Sequence, residues 1–141
     1  QRMIEGGLPK PPIGETMGFD LVSAGAGRAA FAGTAETRFL NPYGAVHGGY
    51  VATLLDSAMT CAVQTTVAAG FGVTTVEFKL NFVRPISPDA GRLRAIGTVI
   101  TSGKRLGTAE GRLIDESDRL FAHGTTTCMI FPLPDTAVAG L

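Results

Sequence analysis

Hydrophobic and polar positions along the chain fall into two regimes. From Gly48 to about Val67 almost every residue is apolar or small, a length and texture that predict one long helix starting at Gly48 or Gly49. It is closed by AAGFG, whose glycines suit a helix C-terminus. Beyond it come four runs rich in β-branched and aromatic residues: VTTVEFKLNFVRP, GRLRAIGTVIT, RLGTAEGRLID and RLFAHGTTTCMIF. The breaks between them are RPISPDAG, TSGK and DESD, so each run predicts a strand. In GRLRAIGTVIT, Leu93, Ala95, Gly97 and Val99 share one face. Upstream of the helix, Phe19 to Ala24 and Arg28 to Phe39 predict two further strands joined by SAGAG. Residues 1–17 are rich in glycine and proline and predict an arm with little regular structure. The expected organisation is this arm, one domain over residues 18–132, and a tail over 133–141.

Strand, strand, long helix and four strands with short connections describe an α+β domain. One long central helix is wrapped by a curved antiparallel sheet of about five to six strands. The helix reads as apolar or small on nearly every side, more than one sheet can cover. A second copy of the chain is the economical way to cover the rest.

Composition narrows the classes. Hydrophobic residues make up 45% of the 141 and charged residues 17%, which argues against disorder. The formal net charge is zero and gives no case for nucleic acid or an anionic membrane as partner. Seven basic residues from Lys79 to Arg112 face only Asp89 and Glu110, which suits a small anionic group or a solvated set of strands. From Gly48 to Val76 the single charge is Asp56, but an Asp in mid-span costs roughly 2.5 to 3.5 kcal/mol on membrane insertion. The first residues carry no apolar leader pattern, so a cytoplasmic protein is expected. Cys61 and Cys128 lack CxxC spacing and read as structural thiols of a reducing compartment. Two histidines, His47 and His123, with no further ligand pattern do not make a metal site. Gly25, Gly27 and Ala30 match GxGxxA, but an alternating run with Gly33 follows instead of a helix, which disfavours a dinucleotide loop.

Asp56 is the anomaly, because an unpaired buried carboxylate is costly. Either its side of the helix faces water or the carboxylate takes part in chemistry. Gly48 and Gly49 leave backbone N–H groups open at the helix start, where the helix dipole favours developing negative charge. The same two glycines also suit close packing or a tight entry turn. Asp56 lies eight residues beyond Gly48, roughly 12 Å along one helix, so no single carbonyl touches both. If they serve one reaction, Gly48 comes from one subunit and Asp56 from another, across antiparallel helices. Thr60 lies one turn on and can hydrogen-bond the carboxylate, while small Ala52 leaves space.

NPYGAVHGGYVATLLDSAM resembles the signature of hotdog-fold acyl-CoA thioesterases, of the phenylacetate-pathway (PaaI-like) and 4-hydroxybenzoyl-CoA group. Asn41, His47-Gly48-Gly49 and Asp56 stand at that signature's spacing, and the resemblance covers roughly residues 18–132. It implies dimers, often dimers of dimers, with the site at the subunit interface. It implies Asp56 as general base or nucleophile and the Gly48 N–H as the donor that polarises the thioester carbonyl. Asn41 is implied to hold the water or thioester, and Thr60 or Thr75 to orient the water or carboxylate, with Thr74 as the alternative in register. His47 is implied to support the loop through hydrogen bonds, and His47 and Gly49 are taken with the substrate-binding residues. Arg84, Lys104 and Arg105 are candidates for the phosphates of coenzyme A, which is part of the substrate and not a cofactor. Tyr50, Phe71, Phe78 and Phe82 either line an aromatic acyl pocket or belong to the core. Two other readings stand beside hydrolysis: a hotdog dehydratase of 3-hydroxyacyl thioesters, which would pair His47 with an acid, and a non-catalytic acyl-CoA sensor. The absence of an HFP-like loop and the short N-terminal arm weigh against them.

Overall fold

A computed structural model describes residues 9–134; the rest of the expected arm (1–8) and tail (135–141) lies outside the described residues. The elements are α1 (Pro12–Met17), β1 (Phe19–Gly25), β2 (Arg28–Thr34), a 3-10 turn (Thr37–Phe39), α2 (Gly48–Gln64), β3 (Phe71–Phe82), β4 (Arg92–Ser102), β5 (Leu106–Ile114) and β6 (Leu120–Pro132). The arm is therefore not irregular throughout. Pro12 opens α1, where its missing N–H costs nothing, and Gly18 closes it at φ 67°.

The second strand also stops earlier than expected, at Thr34, and residues up to Phe39 turn instead of pairing. Ala26 and Gly27 form the two-residue β1–β2 turn with φ 50° and 78°, the left-handed pair that matches strand twist. The GxGxxA match is this hairpin turn. The Gly27 N–H donates to Thr65 Oγ1 at 2.9 Å, tying the hairpin to the end of α2.

All six strands form one antiparallel sheet in the order β1-β2-β4-β5-β6-β3. Neighbour-to-neighbour pairing holds for β4, β5 and β6, but β3 pairs with β6 and makes the far edge. Residues 83–91 carry the chain from that edge to β4, anchored by buried Ile86, whose carbonyl accepts from the Val46 N–H at 2.9 Å. A bulge at Val76 interrupts the β3–β6 register between Thr75 and Glu77.

Helix α2 touches every strand. Tyr50, Val51, Leu54, Leu55, Ala58, Met59, Ala62 and Val63 are its buried face. Helix and sheet approach closely at Gly97, where a Cβ would be driven into the Ala58 carbonyl, and at Gly111, where it would meet Met59 at 2.8 Å. The expected all-round apolar helix needs correction. Its uncovered stripe, running through Thr53, Asp56, Ser57, Thr60 and Gln64, is small and polar. Exposed apolar surface lies instead on β3, at Val76, Phe78 and Phe82. No helix among the described residues is long and apolar enough to cross a membrane.

Candidate active site

The sheet leaves α2 open along the gap between its two edge strands, and Asp56 sits in that gap, half-buried. From the β3 side, the Thr75 hydroxyl donates to Asp56 Oδ1 at 2.7 Å. Thr60, one helical turn beyond Asp56, reaches the same oxygen at 3.3 Å and Thr75 Oγ1 at 2.8 Å. Cys128 Sγ on β6 lies 3.8 Å behind Thr60 Oγ1. Each hydroxyl has one proton, so the distances favour a relay in which Thr60 donates to Thr75 and Thr75 to the carboxylate. Thr74 points to the exposed face, so Thr75 is the residue in register. Asp56 Oδ2 has no hydrogen-bond partner among the described residues, and Asp56 lines the adjoining cleft.

That cleft, about 560 Å³, is bounded by Asp56, Ser57, Thr60 and Cys61 of α2 and by Phe19 and Leu21 of β1. Phe31 and the segment Pro9 to Gly14 complete it. Burial, and then the charge of Asp56, push the Cys61 thiol up to about 11, so it stays neutral and is a weak nucleophile. The four aromatics read as either pocket lining or core fall in different places. Tyr50 is in the core, 2% exposed and stacked on Phe39, while Phe71 and Phe78 lie exposed on β3. Burial and the Glu36 charge raise the Tyr50 hydroxyl to about 12. The aromatics that reach Asp56's cleft are Phe19 and Phe31, packed edge to face at 5.7 Å. Sequence reading missed them because alternation marks a strand's inner face without saying that the helix stands off from it there.

The other candidates gather at the start of α2. His47 caps the helix, its Nδ1 accepting from the Gly49 N–H at 2.8 Å, so Nδ1 carries no proton. The Gly49 donor is thereby used, whereas the Gly48 N–H has no acceptor among the described residues. A Cβ at Gly48 would meet the Phe82 ring at 3.3 Å. Asn41 Oδ1 accepts from the N–H groups of Tyr43 (2.9 Å) and Ala45 (3.1 Å), shaping the loop that enters the helix. Asn41, Gly48, Phe82 and Arg84 border a second cleft, of about 330 Å³. Lys104 and Arg105 lie at the opposite end, in the β4–β5 turn next to Ser102, which accepts from Thr66 just past α2. One chain thus brings Asp56, Thr60 and Thr75 together. It keeps Asn41, His47, Gly48 and Arg84 apart from them, and Lys104 and Arg105 apart from both. Among the described residues, no three His, Cys, Asp or Glu side chains converge as metal ligands would.

A long helix wrapped by a six-stranded antiparallel sheet, with a hydroxyl-held carboxylate in the open gap, defines a hotdog-fold protein of the α+β class. The thioesterase superfamily model matches residues 43–122. A phenylacetic acid degradation-related protein of Ralstonia eutropha JMP134 is similar at 32% identity and TM-score 0.81, over 91% of this chain and 96% of that one. Phenylacetic acid degradation protein PaaI of Thermus thermophilus, in a point-mutant form, is similar at 26% identity and TM-score 0.75, over 84% and 98%. A protein of Halobacterium salinarum, named provisionally as an esterase, is 32% identical over 58% of this chain and 54% of its own length. A second such protein, from Saccharolobus solfataricus, is 33% identical over 62% and 57%. The match thus spans little more than half of these two relatives. This chain belongs to the thioesterase superfamily, a family of thioester hydrolases, and its fold is that of the PaaI group.

Proposed function

We propose that the protein hydrolyses acyl-CoA thioesters to the free acid and coenzyme A at a site shared by two subunits. The observation that carries this reading is the Asp56 carboxylate, whose Oδ1 is fixed by Thr75 while the residue itself lines the cleft. A thiolate is a good leaving group, so the reaction needs a base or nucleophile and a donor for the oxyanion, and no further cofactor. As general base, Asp56 takes a proton from water as its oxygen bonds to the thioester carbon. The carbonyl electrons move onto oxygen, facing the open Gly48 N–H of the partner subunit. Collapse then breaks the C–S bond, and the thiolate leaves and is protonated. As nucleophile, Asp56 would bond to the carbonyl carbon and form an anhydride that water opens. Label from oxygen-18 water found in Asp56 after one turnover would mark this second route.

Two subunits are required because Gly48 and Asp56 stand roughly 12 Å apart along one helix. Antiparallel helices would also bring Lys104 and Arg105 of one subunit to the end where Arg84 of the partner subunit lies, a suitable mouth for the phosphates of coenzyme A. The Asn41 amide NH₂ group, unlike its carbonyl, is left for water or thioester. The dehydratase reading is disfavoured because His47 Nδ1 is committed to the helix cap, accepting from the Gly49 N–H. A sensor reading would leave coenzyme A unreleased. The test is release of free coenzyme A from acetyl-, medium-chain, long-chain and phenylacetyl-CoA, with Asp56→Ala as control. Turnover should fall on the order of a hundredfold or more in that variant, as for loss of a central acid–base group. Near-normal turnover would reject the proposal.

A further inference from the structure

Within one chain, the cleft at Asp56 has two different walls. One wall is the helix, through Ser57, Thr60 and Cys61; the other is Phe19 and Leu21 on β1 with Phe31 on β2. Its rim is the segment Pro9 to Gly14, held to β1 by the Lys10–Asp20 ion pair at 2.7 Å and by Gly14, where a Cβ would come within 3.0 Å of the Phe19 carbonyl. Phe19 and Phe31 are 2% and 7% exposed, so their edges at the cleft belong to fixed core side chains and not to mobile surface ones. Ile13 at the rim is 50% exposed, apolar surface that a bound chain would cover. At roughly 30 Å³ per non-hydrogen atom, as for liquid water, the cleft of about 560 Å³ has room for an acyl group of up to about nineteen such atoms. The second cleft, at Gly48 and Arg84, is smaller and has a cation at its edge.

We infer that the cleft between α2 and β1 receives the acyl group, and that Cys61 and Leu21 are specificity-determining residues that set how long a group it accepts. This rests on the acyl-CoA reading above. The thioester carbon then lies at Asp56, the acyl chain runs into the subunit that supplies the carboxylate, and coenzyme A runs toward the partner. A neutral thiol is a small, soft apolar wall, which is the surface such a chain needs. Specificity is therefore set within one subunit while carbonyl activation comes from the other.

The experiment is a kcat/KM ladder over acetyl-, hexanoyl-, decanoyl- and phenylacetyl-CoA for the full chain, Cys61→Met and Leu21→Ala. Melting curves identify any variant that fails to fold, in which case the other decides. Added or removed methylene-sized volume changes discrimination by about tenfold or more. Cys61→Met should lower the decanoyl-to-acetyl ratio by about that factor, and Leu21→Ala should raise it. Equal scaling of every substrate, or unmoved ratios, in an active enzyme overturns this inference and leaves the hydrolase reading standing. An unsubstituted chain idle on the whole ladder removes both.

Discussion

At the scale of single residues, a carboxylate persists inside a mostly apolar helix because two hydroxyls and an open cleft replace the water it would lose. The two threonines are not equivalent. Thr75 makes the shorter bond, 2.7 Å against 3.3 Å, and Thr60 is better placed to donate to Thr75. A hydrogen bond to a charged group contributes about 1.5–3 kcal/mol, so Thr75→Val should lower kcat about ten- to a hundredfold with KM little changed. Thr75→Ser should restore most of it, and Thr60→Val should cost less. Steady-state kinetics on the three variants check this order; a larger loss at Thr60 would reverse the relay. Thr60 was legible in the sequence from its i+4 spacing. Thr75 was reachable only through family resemblance, since nothing local ties residue 75 to residue 56.

At the scale of elements, Gly97 and Asp115 carry distinct demands. A methyl at Gly97 pushes into the backbone of α2, and overpacking of this kind costs about 1–3 kcal/mol, so Gly97→Ala should lower the denaturant midpoint accordingly. In the β5–β6 turn, Asp115 accepts from the N–H groups of Arg119 (2.9 Å) and Ser117 (3.0 Å) and from Arg119 Nε (3.1 Å). The Arg119 N–H first, then the Ser117 N–H and the Arg119 charge, hold its carboxyl below the ordinary 3.8 despite burial. A pKa lower in the folded state stabilises above the ordinary value, and that contribution is lost as pH falls through the depressed one. Asp115→Asn should therefore reduce Tm at neutral pH, with the gap closing as pH drops below 3.8. Thermal melts of both proteins across pH check it. The long helix and the last four strands were legible because their periodicity is long and their breaks are marked by Gly, Pro and Asp. α1 was hidden because its prolines and glycines signal a break as readily as a one-turn start. The end of β2 was hidden because Thr37 to Phe39 keep strand-like residues in a 3-10 turn.

At the scale of the whole molecule, the placement of β3 matters most. Although β3 precedes β4 in the chain, it pairs with β6 and forms an edge of the sheet, an order that propensity within each strand cannot reveal. Val76, 60% exposed, and Phe78 and Phe82, 42% and 57% exposed, leave that edge apolar beside Thr75. Surface of this kind is what self-association covers. Light scattering behind size exclusion should give twice the monomer mass or more, and a charge placed there, Val76→Lys, should raise the monomer fraction and lower activity together. A monomer that turns over normally would remove the need for a shared site.

The bulge at Val76 has a consequence for how such a site tolerates change. On one side of it the odd-numbered residues Val73 and Thr75 face the helix; on the other, Leu80 and Phe82 do. One surplus residue therefore acts as a vernier between two halves of the machinery, setting the hydroxyl that reaches Asp56 independently of the ring that abuts Gly48. Loss of that single residue would force the strand to misdial one of them, even though every chemical group remained in the chain.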